Sequence, residues 1–181
     1  MKTEYIPKKE LEHVLALLTW ENELVMRVCL HTGLRVGDVV ALRAPVRRQF
    51  WLTEQKTGKR RRVNLTQELA DLLNRNAGET QWAFPGRLDP FGTHRTRQAV
   101  WADVKRAQRA LRLAENIGTH SARKVFAADA LAKSGDLETV RRKLNHEDAA
   151  TTALYALAEQ LHRNKYERDS DRGGRTKRRR R

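Results

Sequence analysis

The sequence predicts a mainly α fold of the α+β kind: helices carry the core and one small antiparallel β-hairpin stands among them. Three observations predict it. Apolar residues recur at helical spacing along much of the chain, as at Leu11, Val14, Leu15 and Leu18, and again at Val100, Val104, Ala107 and Leu111. The period changes to two over residues 49–65, where Phe50, Leu52 and Glu54 alternate with Trp51, Thr53 and Gln55. Gly78, Pro85, Gly86, Pro90 and Gly92 forbid regular structure over residues 77–93, which read as one loop.

In chain order, Pro7 opens a helix over residues 8–18. The run Trp20-Glu21-Asn22 breaks it, and an apolar core helix follows over residues 21–31. Its Cys29, the single cysteine, reads as a small buried hydrophobe and excludes an intrachain disulfide. Thr32 and Gly33 end that helix and start the next, with Arg35 in its first turn. Taken alone, Arg35 reads equally as a surface arginine, and Asp38 is placed to fix a neighbouring basic group. Pro45 stops this helix. In the hairpin, residues 56–59 form a basic turn and residues 60–65 return as the second strand. Lys56 and Lys59 at such a tip are solvated unless a phosphate lies near.

Residues 66–76 form a helix with Leu69, Leu72 and Leu73 on one face, and Trp82 and Phe84 dock the following loop. Thr93 or Thr96 caps a helix to about Leu113. Its outer face carries Arg95, Arg97, Lys105, Arg106, Arg109 and Arg112, which is either a solvated face or a surface for a phosphate backbone. Helices are then expected over residues 120–134, 137–144 and 149–164, with turns at Gly135-Asp136 and over residues 145–148.

The stretch 118–156 holds His120, Arg123, His146 and Tyr155. His120 and Arg123 are three apart and share a helix face, where an imidazole beside a guanidinium cradles a phosphate. Tyr155 follows the small-residue run Ala149-Ala150-Thr151-Thr152-Ala153, which leaves a tyrosine exposed enough to be a nucleophile. Each residue alone has a bland reading, a wet helix face or a core anchor. The four together in this order make a candidate site for cutting and rejoining a phosphodiester.

Charge points to the same partner. The formal net charge of the 181 residues is +15, and the last nine carry six of those charges, so the body keeps +9. A basic body favours a polyanion, most simply nucleic acid. Residues 1–172 are read as one domain and residues 173–181 as a disordered basic tail. No apolar stretch reaches the length of a membrane span and no signal-peptide core opens the chain, so a cytoplasmic, nucleoid-associated protein is expected. No Cys/His cluster has zinc spacing and no Gly-rich phosphate loop is present, so no cofactor or metal is expected.

Five segments together resemble the catalytic domain of the tyrosine recombinase (phage integrase) family. They are Thr32-Gly33-Leu34-Arg35-Val36-Gly37-Asp38, Gln55-Lys56-Thr57-Gly58-Lys59, Thr119-His120-Ser121-Ala122-Arg123-Lys124, Leu144-Asn145-His146, and Thr151-Thr152-Ala153-Leu154-Tyr155-Ala156. Asn145 stands where glycine is commoner and Ala122 where leucine is commoner. The resemblance implies site-specific cutting and rejoining of double-stranded DNA through a 3′-phosphotyrosyl bond formed by Tyr155. It implies that Arg35 and Arg123 hold the non-bridging oxygens. His120 and His146 would add hydrogen bonds, with His120 also able to take the tyrosine proton. Lys56 would protonate the leaving 5′-oxygen, with Lys59 as the competing candidate and Tyr166 as the rival nucleophile. It implies a homo-oligomer on DNA sites, with room for an accessory DNA-binding protein, and chemistry independent of metal and ATP. Only about thirty residues precede Arg35, so the chain is expected to be the catalytic domain without the upstream core-binding domain usual in the family. Relaxation of DNA in the manner of a type IB topoisomerase, and non-catalytic DNA binding by an integrase remnant, are the alternatives.

Overall fold

The computed structural model describes residues 3–145 together with Ala153, Leu157, Ala158, Gln160 and His162. Chain order is α1 Lys8–Leu15, α2 Trp20–Thr32, α3 Val36–Val40, β1 Gln49–Thr53, β2 Arg60–Asn64, α4 Gln67–Ala77, α5 Arg97–Ala110, α6 Thr119–Ser134 and α7 Leu137–Leu144. The mainly α fold with one antiparallel hairpin is therefore as the apolar periodicity predicts.

Helix α2 is the axis. It buries Leu24, Val25, Met26, Val28 and Cys29 and packs against α1, α3, α4, α5 and α6. A helix that is apolar on most of its circumference has to be surrounded. Burial pushes the Cys29 thiol up to about 12, so it sits in the core as an inert hydrophobe. The break before α2 falls at residues 16–19 and not at Trp20-Glu21-Asn22, which instead form its first turn. The reason lies on α5. Buried Asp103 accepts the Thr19 amide at 2.8 Å and the Asn22 side-chain amide at 2.8 Å, which pins the corner and starts the helix there. Glu21 and Glu23 then suit its positive end.

Helix α3 ends at Val40, well before Pro45. The backbone leaves it to pair with the loop: Leu42 accepts from the Ala83 amide at 2.8 Å and the Ala44 amide donates to Gln81 at 3.0 Å. Trp82 and Phe84 are buried there as expected, and the Arg43 guanidinium lies 3.6 Å from the Trp82 ring centroid. In the hairpin, Phe50 pairs with Val63 and Thr53 with Arg60. Phe50 and Leu52 pack on the core while Trp51 faces solvent. Thr66 and Thr96 cap α4 and α5 through their side chains, each worth about 1 kcal/mol of helix stability.

A second, smaller core joins α6 to α7 through Ala127, Ala130, Val140 and Leu144, with Phe126 and Leu131 packed on it. Gly135, at φ 65°, and Asp136, which accepts the Glu138 and Thr139 amides, make the corner between them. The helix expected over residues 149–164 and the tail lie largely outside the described residues. Among those described, Ala158 is buried in the main core and the His162 ring meets Tyr5 edge-on with centroids 5.7 Å apart.

Candidate active site

Arg35 is the N-cap residue of α3, directly after the left-handed Gly33 that closes α2 and the buried Leu34. Its Nη1 donates to Glu54 Oε2 at 2.5 Å, and its side chain is 19% exposed against 0% for Glu54. Glu54 follows β1 and also accepts from Thr57 Oγ1 at 3.0 Å. Its other oxygen faces Arg61 Nη1 at 3.6 Å, an ion pair too long for a hydrogen bond, while Arg61 Nη2 donates to the Thr32 carbonyl at 2.9 Å. Burial raises the Glu54 carboxyl, but the Arg35 bond and charge, with the Thr57 bond and the Arg123 charge, outweigh it and hold it below the usual carboxylate range.

Among the described residues Asp38 forms no ion pair with a basic side chain. Its Oδ1 accepts the Gln55 backbone amide at 2.9 Å, while the Arg35 and Arg123 charges act on it without an ion pair. Burial pushes its carboxyl up, against the Gln55 bond. Asp38 thus fixes the hairpin, and Glu54 fixes Arg35.

Arg123 is 2% exposed on α6. Its Nη1 donates to the Gly33 carbonyl and its Nη2 to the Leu144 carbonyl at 2.7 Å. The second acceptor is one of the terminal carbonyls a helix leaves free, here that of α7. Gly33 is irreplaceable for two reasons: its φ of 68° suits glycine, and a Cβ there would lie 2.5 Å from Phe126. One buried guanidinium therefore joins the Arg35 segment, α6 and the end of α7, from which the chain passes through Asn145 toward His146.

His120 lies in the first turn of α6 and is exposed. The start of this helix is strapped by the N-terminal lead: Ser121 Oγ donates to the Glu4 carbonyl at 2.9 Å, and Lys124 Nζ donates to the Thr3 carbonyl. Crowding by protein around the ring, then the charges of Arg123, Arg35, Lys124 and Lys56, hold the imidazole below its ordinary value. Lys56 is exposed at the hairpin tip. Lys59 is half-buried, and its carbonyl closes the loop by accepting the Glu54 amide at 3.0 Å.

Arg35, Arg123, His120 and Lys56 thus share one electrostatic neighbourhood although 88 residues separate Arg35 from Arg123 in sequence. His146, Tyr155 and the rival Tyr166 lie outside the described residues. Just before α5, Arg95 donates to Asn22, and on α5 Arg106 donates to Asp103 and Lys105 to Asn116; Arg97, Arg106 and Arg109 are exposed on this helix. Among the described residues no cluster of His, Cys, Asp or Glu could hold a metal, and no helix is long and apolar enough to cross a membrane. Sequence reasoning missed Glu54 and Arg61. The signal was present for Glu54, which alternates in phase with the inward Phe50 and Leu52.

The model of the phage integrase family matches residues 4–162. The chain belongs to the phage integrase family. Among curated members, the integrase of Escherichia phage P2 is 27% identical over 157 residues, covering 86% of this chain and 43% of that protein. The tyrosine recombinase XerD of Lacticaseibacillus casei is 30% identical over 151 residues, covering 78% and 52%. This family member therefore spans about half the length of those relatives. Among solved structures, a lambda integrase dimer bound to a COC′ core site aligns with a TM-score of 0.72 at 16% identity, covering 86% of this chain and 48% of that one. The catalytic domain of bacteriophage HP1 integrase aligns with a TM-score of 0.62 at 20% identity, covering 87% and 89%. The fold is that of the tyrosine recombinase catalytic domain.

Proposed function

We propose that this chain is the catalytic unit of a site-specific recombinase that cuts and rejoins double-stranded DNA through a 3′-phosphotyrosyl bond on Tyr155. The observation that carries the reading is the gathering of Arg35, Arg123 and Lys56 around His120 in a fold belonging to the phage integrase family. Arg35 and Arg123 take the non-bridging oxygens and the charge that develops on them. His120 and His146 add hydrogen bonds, and His120 takes the phenol proton. Lys56 hands a proton to the 5′-oxygen as it leaves. The bond energy stays in the phosphotyrosine, so rejoining draws on neither metal nor ATP.

The partner is duplex DNA, and the working form is a homo-oligomer on paired sites, in line with relatives such as XerH bound to a palindromic difH substrate and lambda integrase bound as a dimer. An accessory DNA-binding protein and a cytoplasmic, nucleoid-bound setting belong to the same proposal, as does the division into a catalytic body over residues 1–172 and a basic tail. The test is covalent selection. The chain is incubated with nicked duplexes carrying a randomised core, and denaturant-resistant adducts are recovered and sequenced. Enrichment of one site with the protein on its 3′ end is expected. Strand exchange between two such duplexes separates recombination from relaxation, and retention of DNA without adducts would favour the non-catalytic alternative.

Lys56 is preferred over Lys59 because its charge acts on His120 and its side chain is the more exposed at the tip. Lys56→Ala is expected to slow cleavage of the selected duplex by on the order of 10²–10⁴-fold, the range of general-acid contributions. On the same duplex with sulfur as the bridging 5′ atom it should cleave nearly as the parent does, because a thiolate leaves without a proton. Equal loss on both duplexes would move the role, first to Lys59.

The lowered pKa of His120 sets a pH dependence. The imidazole stays neutral and able to accept a proton until pH falls below its ordinary value of ~6.5. With DNA far below saturation, which reports the free chain, the acid limb of the cleavage rate should lie below ~6.5 and should vanish in His120→Asn. An acid limb above that value would remove His120 as the base.

A further inference from the structure

We propose that Glu54 is a positioning residue that ties the phosphate-holding Arg35 to the Lys56 hairpin, so that the grip on the phosphate and delivery of the leaving-group proton are assembled as one unit. The inference rests on the reading of this site as a phosphotyrosyl transesterase.

Glu54 stands where two parts of the site meet. Its Oε2 accepts from Arg35 on one side and from Thr57 Oγ1, one residue past Lys56, on the other. Its amide donates to the Lys59 carbonyl at 3.0 Å and its carbonyl accepts from Gly58 at 2.8 Å, so it opens and closes the loop that holds Lys56. Its second oxygen faces Arg61 on the returning strand. The next residue, Gln55, is held by Asp38 of α3. Two adjacent residues thus clamp the hairpin base to the segment that presents Arg35.

The chemistry argues for orientation over stability. Phe50 and Leu52 lie on the same inward face of the hairpin, and an apolar residue at position 54 would continue their pattern. A carboxylate at 0% exposure between arginines carries a desolvation cost that such a residue would not have. What the carboxylate adds is direction. One carboxylate oxygen holds Arg35 Nη1 while the other faces Arg61, which anchors one corner of the Arg35 guanidinium and leaves its remaining N–H groups for a phosphate. Glu54 is fully buried and holds Arg35 through Nη1, so the other guanidinium nitrogens stay open to that phosphate. The Thr57 bond carries the same constraint to the tip.

The test measures single-turnover adduct formation on the selected duplex with bridging 5′-oxygen or 5′-sulfur, for Glu54→Gln, Glu54→Asp and Thr57→Val. Glu54→Gln is expected to be slow on both duplexes, through Arg35, and slower by a further factor of about ten on oxygen than on sulfur, through Lys56. Glu54→Asp should recover part of the sulfur rate by keeping the charge. Thr57→Val leaves no buried charge unpaired and guards against a Glu54 variant that does not fold. It should lose about tenfold on oxygen and little on sulfur. Equal loss on the two duplexes for Glu54→Gln, or parental rates on both for Thr57→Val, overturns the proposal. A parent chain that forms no adduct on any duplex condemns the transesterase reading instead. The Arg35 Nε–H NMR signal under titration with inorganic phosphate then decides for Glu54: a signal and a phosphate response unchanged in Glu54→Gln overturn it.

Discussion

Tyr155→Phe is expected to bind the selected duplex as the parent chain does and to form no covalent adduct at all. The phenol oxygen is the atom that joins phosphorus in the proposed reaction, and phenylalanine lacks it while keeping the ring. The loss is therefore complete and not graded, unlike that of a charge-stabilising group. A free phenol near pKa ~10 is a poor nucleophile at neutral pH, so the reaction depends on a neighbouring base. His120, held neutral among cations, is suited to be one. The same cations favour the phenolate, because they lower the cost of forming an anion beside them. Tyr166→Phe should leave the adduct untouched, since Tyr166 lies among Arg163, Lys165 and Glu167 with none of the site's motifs before it. Adduct that persists in Tyr155→Phe, or peptide mapping that puts the DNA on Tyr166, would sink the assignment.

The extent to which this site can be read from sequence follows the range of the forces involved. The helices are legible because their signal is local. Val100, Val104 and Ala107 recur at the helical period and are all buried, and α7 spans the residues its sequence predicts. The hairpin is legible because the period changes at Phe50 and Trp51. Arg35, Lys56, His120 and Arg123 are proposed from their family segments, and in the fold the charges of Arg35, Arg123 and Lys56 all act on His120. What is not legible depends on contacts between segments far apart in sequence. Asp103 sets the start of α2 from 84 residues away through the Thr19 amide. Asp38 gives its carboxylate to a backbone amide of the hairpin, 17 residues on in the chain. The cationic face of α5 reads as continuous in sequence, yet Asn22, Asp103 and Asn116 each take a member of it. Glu54 is the instructive case. Its inward phase was visible, but its two arginine partners come from either side of it in the chain and meet only in the folded molecule.

Arg123 is where removal of one described side chain is expected to do most damage. Its guanidinium is buried and donates to the Gly33 and Leu144 carbonyls, so it is held by backbone from two distant segments before any phosphate arrives. That arrangement is preorganised: no reorientation is required as charge builds on the phosphate oxygens, which is the condition under which a donor lowers a barrier most. Arg123→Ala removes the donor and leaves two buried carbonyls unmatched, so part of its loss would be structural. Arg123→Lys separates the two effects, because it keeps the charge but has one nitrogen where Nη1 and Nη2 donate to two segments. The lysine variant is expected to melt close to the parent and to form adduct on the order of 10²–10³-fold more slowly at saturating DNA, the loss found when a preorganised donor is removed. The deficit should appear equally on the oxygen and sulfur duplexes, since in the proposed reaction Arg123 acts on the non-bridging oxygens and not on the leaving group. That pattern is opposite to the one expected for Lys56. A lysine variant that cleaves at the parental rate would reduce Arg123 to a structural tie between α6, α7 and the Gly33 turn, and the phosphate would then have to be held by Arg35 and the histidines alone.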